Sequence, residues 1–126
     1  MAAGRYSFTI EQGSTLNLEL QYKDSSGNPI NLTSYSGKMQ IRPSVASSTV
    51  YITLSSSLNT DGTGLNFSGS NGTTPPTSGS IAIYVSSASS SLLTFDTGVY
   101  DLEITSGSIV TRILEGQVKL SKEVTQ

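Results

Sequence analysis

The chain has no cysteine, no histidine and no tryptophan. Without thiols there is no disulfide framework, and the imidazole and thiolate groups that most often bind metals or serve as nucleophiles and bases are missing. Charge is also scarce. Only 13% of the 126 residues are charged, against about 25% in an average soluble protein. The formal charge of -2 offers no basic face to a phosphate backbone, so nucleic acid is not an expected partner. No stretch approaches the ~18 apolar residues of a membrane span, so no membrane is expected either. The opening Met1-Ala2-Ala3-Gly4-Arg5 has no apolar core, and no secretory signal is read there. No cofactor is expected.

What the chain has in abundance is small hydroxyls, with 24 Ser and 15 Thr. This polarity is nearly neutral, so it lacks the high net charge that accompanies disorder. It suits strand faces and turns. The length suffices for one hydrophobic core and one domain, residues 1–126.

Alternation of apolar and polar residues dominates. Tyr6, Phe8 and Ile10 form one row. Leu16, Leu18, Leu20 and Tyr22 form another, with Asn17, Glu19 and Gln21 opposite. Asp24, Ser25, Gly27 and Pro29 mark a turn, and Ile30 to Tyr35 read as a buried connection. Met39/Ile41, Val50/Ile52/Leu54, Leu65/Phe67 and Ile81/Ile83/Val85 predict further strands, with Pro43 ending the first of these and Tyr51 and Tyr84 facing away from their rows. Residues 86–95 hold the one candidate helical turn. Tyr100/Leu102/Ile104 predict a strand that turns at Ser106-Gly107-Ser108 into a long last one. There the set Ile109/Thr111/Ile113 competes in phase with Val110/Leu114/Val118/Leu120, and a bulge near Glu115-Gly116 reconciles them. About eight short strands with at most one short helix predict an all-β fold: a single antiparallel β-sandwich, Ig-like or jelly-roll-like.

Constellations that carry chemistry are thin. Triads lack a histidine. Asp101 and Glu103 share a strand face, which reads as a solvated outer face rather than a glycosidase pair. Arg42 is within reach of such a carboxylate for a bidentate pair. Asn59-Thr60-Asp61-Gly62-Thr63-Gly64 puts oxygen ligands on a turn, but with one carboxylate it reads as an Asx-type turn before a calcium site. Tyr51 and Tyr84 are candidates for stacking on a sugar or filling a partner's pocket. Residues 1–5 and the loop 69–79, which has no apolar side chain, find no role in the core. They are therefore the expected partner contacts, through Met1, Arg5, Asn71, Pro75 and Pro76.

Several segments together resemble a known group. They are Phe8-Thr9-Ile10-Glu11-Gln12-Gly13, Gly27-Asn28-Pro29-Ile30-Asn31-Leu32-Thr33-Ser34-Tyr35, Met39-Gln40-Ile41-Arg42, Tyr100-Asp101-Leu102-Glu103-Ile104, Arg112-Ile113-Leu114-Glu115-Gly116-Gln117-Val118 and Ser121-Lys122-Glu123-Val124-Thr125. In this order they resemble small virion structural proteins of tailed bacteriophages, and are similar to the N-terminal β-sandwich of siphophage upper-baseplate proteins. The resemblance spans most of the chain outside residues 55–80. It implies a non-enzymatic virion protein made in the host cytoplasm, docked against other virion proteins and copies of itself. A tail, baseplate, neck or fibre-attachment module is the first expectation and a capsid decoration protein the second. A carbohydrate-binding module is the alternative of another class.

Overall fold

A computed structural model describes residues 4–68 and 76–124. The alternating rows become strands: β1 Gly4–Arg5, β2 Phe8–Glu11, β3 Leu16–Gln21, β4 Ser36–Arg42, β5 Ile52–Ser55, β6 Gly64–Asn66, β7 Ser80–Val85, β8 Thr97–Ser106 and β9 Ile109–Ser121. One short helix, α1, covers Ser87–Ser91, and a 3-10 turn covers Pro76–Ser78. The larger sheet has six strands in the order β1–β9–β8–β4–β5, with β2 also on β9. The smaller has three, in the order β3–β7–β6. Each buries one apolar face: Ile10, Met39, Ile41, Leu102, Ile104 and Val118 from the larger, Leu65, Ile81, Ile83 and Val85 from the smaller. The fold is an all-β sandwich.

Turn chemistry sets the connections. Asp24 Oδ1 accepts from the N–H groups of Ser26 and Asn28, so the β3–β4 connection starts from a side-chain-capped turn. Ser106 pairs with Ile109 across Gly107-Ser108, and Gly107 has φ +60°, which a two-residue hairpin turn needs at its first position.

Three features differ from the sequence expectation. First, β1 and β2 run parallel to β9 rather than antiparallel, with Gly4 opposite Leu114 and Phe8 opposite Val118. Alternation reports which face a residue occupies and says nothing of its neighbouring strand. Second, the β9 irregularity lies at Ile113, between the pairs Glu103/Arg112 and Leu102/Leu114, not at Glu115-Gly116. It still turns members of both competing rows to the core side, Thr111 and Ile113 up to it and Leu114, Val118 and Leu120 after it, while Val110, opposite Thr105, faces outward. Third, the end of the 69–79 loop is packed. Gly79 is buried at φ +72°, and a Cβ there would lie 2.5 Å from the Tyr22 carbonyl oxygen.

Gly116 has another role. A Cβ on it would lie 2.0 Å from the Tyr6 carbonyl oxygen, so a side chain is excluded where the link between β1 and β2 runs alongside β9. The Tyr6 N–H donates to the Glu115 carbonyl, and the buried Tyr100 hydroxyl donates to the Tyr6 carbonyl. Burial pushes the Tyr100 phenol up from 10.0 to about 12, with a smaller push from Tyr6. The fold therefore favours the neutral phenol. Its contribution is complete below the ordinary tyrosine range and is lost as pH rises through about 12.

Two outcomes follow for thermal or denaturant melts. Gly116→Ala should destabilise the chain by about 2 kcal/mol or more, because the β1–β2 link must lift off β9. Tyr100→Phe should cost about 1 kcal/mol at neutral pH by orphaning the Tyr6 carbonyl, and should lose less stability than the parent between pH 10 and 12.

Candidate docking surfaces

The outer face of the larger sheet follows from register. Residues opposite one another share a face, so Arg42 with Val99, Gln40 with Asp101 and Glu115, and Lys38 with Glu103 and Arg112 form successive outward rows. Arg112 reaches Asp101 at 3.4 Å and Glu115 at 3.7 Å, and Arg5 reaches Glu115 at 3.8 Å. All are exposed pairs, each worth at most about 1 kcal/mol. A shallow depression of about 470 Å³ lies here, and its three arginines, Arg5, Arg42 and Arg112, balance Asp101, Glu103 and Glu115. Asp101 and Glu103 are thus members of a mixed-charge surface. Arg42 does not pair with either. Its Nε and Nη2 donate to Gln40 Oε1 and its Nη1 to the Ser47 carbonyl, because the register sets Val99 opposite it and Asp101 one row away.

The turn at residues 59–64 is built around Asp61. Its Oδ1 accepts from the Thr63 N–H (3.0 Å), the Asx-turn bond. Its Oδ2 accepts from the hydroxyls of Ser86 (2.6 Å) and Ser89 (2.8 Å). Ser86 is also the N-cap of α1, accepting from the Ser89 N–H. The Ser86 hydroxyl first, then the Thr63 N–H and the Ser89 hydroxyl, hold the Asp61 carboxyl well below its usual range. The three donors share one carboxylate, so its oxygens lock a loop to a helix. Among the described residues no group of three or more His, Cys, Asp or Glu gathers to hold a metal.

Of the seven candidate contact residues, the four that the structure describes do not converge. Met1, Asn71 and Pro75 lie outside the described residues. Pro76 opens the 3-10 turn. Arg5 is strand-paired in β1, opposite Glu115, with its side chain 86% exposed. Tyr51 precedes β5, its N–H donates to the Ile41 carbonyl, and its ring stacks on the buried Phe95 at 4.4 Å and 6°. It is therefore packed against the core, not displayed on an opposite face. Tyr84 lies on the outer face of the smaller sheet, opposite Asn17 and Gly64. The two tyrosines belong to different sheets and form no shared aromatic platform. Beside Tyr84 is a cleft of about 210 Å³ with Asn17, Leu58, Asp61 and Asn66, smaller than the ~300–1,000 Å³ of typical ligand pockets.

No family model matches the chain, and no curated protein matches it significantly. Its geometry alone has to indicate where it makes contact.

Among the described residues Val124, Val45 and Leu92 are individually more exposed, but two exposed large apolar residues adjoin in sequence at the β8–β9 hairpin. Ile109 is 69% and Val110 56% exposed. They are neighbours on a strand, so they face opposite sides of the sheet. The β4 ladder stops at the pair Ser36/Thr105, and β1 joins β9 only from Gly4/Leu114 onward. Among the described residues, β4 reaches the row of Thr105 and Val110, and only the row of Ser106 and Ile109 has no flanking strand. Sequence reading passed over this pair as a phase ambiguity. The signal was present: two adjacent β-branched apolar residues directly after a hairpin turn cannot both face one core.

Asp61→Asn should lower the thermal midpoint by a few degrees by weakening the loop-to-α1 lock. Because the folded state holds this carboxyl below its unfolded value, its contribution is present above the usual carboxylate range and fades as pH falls below it. The deficit of the variant should therefore shrink in acid, as melts at pH 7 and in strong acid will show.

Proposed function

We propose that the chain is a non-enzymatic structural protein of a tailed-bacteriophage virion, a tail, baseplate, neck or fibre-attachment module that docks onto neighbouring virion proteins and copies of itself. The observation that carries the docking reading is the apolar tip of the β8–β9 hairpin, Ile109 and Val110, which touches no core of its own. An apolar pair on a projecting element suits insertion into a partner's pocket. Absence of imidazole and thiol supports a role other than catalysis.

The phage assignment draws on the resemblance. Five of the six segments that carry it supply residues to β2, β4, β8 and β9, which lie together in the larger sheet. They are one piece of architecture rather than scattered turn signatures. A hydroxyl-rich, weakly charged surface supports lasting contact, since burying it desolvates few ions.

Mass spectrometry of purified particles of the encoding phage, separated into heads and tails, tests this. The chain should be found in the tail fraction. Recovery in heads alone would favour a decoration role, and absence from both would remove the virion reading. The double variant Ile109→Ser, Val110→Ser should keep its melting temperature and be incorporated about tenfold less, or not at all.

A further inference from the structure

One edge of the smaller sheet is open. β3 pairs with β7 along one side, and no other strand among the described residues pairs along its second side. Natural edges are blunted by charged side chains, especially lysine, by proline, a bulge or shortness. β3 carries one charge, Glu19, and none of the other devices. Its six residues, Leu16-Asn17-Leu18-Glu19-Leu20-Gln21, keep unbroken register with β7, while the edge strands β5 and β6 have four and three residues. Leu16, Leu18 and Leu20 face the core yet remain only partly buried. The outward row Asn17, Glu19 and Gln21 is exposed and carries one charge.

We propose that this edge binds the β3 strand of a second copy, antiparallel, about a two-fold axis at Leu18. In that register Leu18 faces Leu18, Leu16 faces Leu20, and Asn17 faces Glu19. The half-covered leucines of the two copies then form one continuous apolar stripe, and each carboxylate meets a neutral amide. Centring the pair one residue later sets Glu19 against Glu19, a like-charge pair directly across strands. Centring it one residue earlier brings Glu19 opposite Thr15, outside the strand, and shortens the ladder. The strand sequence is therefore self-complementary in one symmetric register, as an isologous interface requires. The joined sheet runs β6–β7–β3–β3–β7–β6 across the dimer.

This contact deepens the virion reading by naming how copies meet, and rests on that reading only for where the dimer is used. The test uses the isolated full chain. Sedimentation or light scattering across the micromolar range should show a species of twice 13.2 kDa. Asn17→Glu faces Glu19 twice per dimer and should weaken association about tenfold, while Asn17→Lys faces it with opposite charge and should strengthen it by a similar factor. Added salt should shrink both effects. Residue 17 is exposed, so both variants should melt like the parent when dilute. A parent that stays monomeric, or two variants that shift association in the same direction, would overturn the proposal. A dimer missing from particles would count against the virion reading alone, and a solution monomer found in particles would count against this contact alone.

Discussion

A six-stranded sheet and a three-stranded sheet must close on a single core, and that mismatch governs the rest of the molecule. Hydrophobic burial is efficient only where the two inner faces overlap. In the overlap, Ile10, Leu54, Leu65, Ile81 and Leu102 are almost fully buried. Beyond it, apolar side chains run out of cover. Leu16, Leu18 and Leu20 stay half-covered at the edge of the smaller sheet, Ile109 stands exposed where the β8–β9 hairpin outruns β4, and Val110 is exposed on the outer face. These partly covered and exposed apolar residues are the surfaces proposed for docking.

Small hydroxyls hold what the core does not. The buried Ser90 hydroxyl donates to the Ser14 carbonyl and accepts from the Gly13 N–H, tying α1 to the link between the sheets. Gln12 extends the same clamp. Its Nε2 donates to the Leu93 carbonyl, and its Oε1 accepts from the Glu123 N–H. Asp61 gathers Thr63, Ser86 and Ser89 at the other end of α1. Each satisfied polar group avoids the cost of a buried orphan. A chain poor in ion pairs can thus keep its connections fixed with serine and threonine.

Strand positions and turns were legible because period-two alternation and turn residues are local signals. Asp24, Gly27, Pro43 and Gly107 each act as their chemistry predicts. The bulge was legible as a conflict of phase along β9, though its site, Ile113, was not, since either end of the conflict resolves it. Pairing was illegible. Nothing local says that β2 runs parallel to β9, which depends on Gly116 admitting Tyr6 some 110 residues away in sequence. Tyr51 was misread for a similar reason. Alternation assigned it outward, but it lies before the strand begins, and Phe95 offers it a stacking partner from a distant segment. Arg42 followed register rather than charge, and found Gln40.

Docking through the β8–β9 tip is tested most directly by hydrogen exchange at residues 105–111, compared between the isolated chain and the assembled particle. Insertion of Ile109 and Val110 into a partner requires these amides to exchange more slowly in the particle, while β7 and residues 97–104 of β8 remain as they were. Equal exchange at the tip in both states would contradict it.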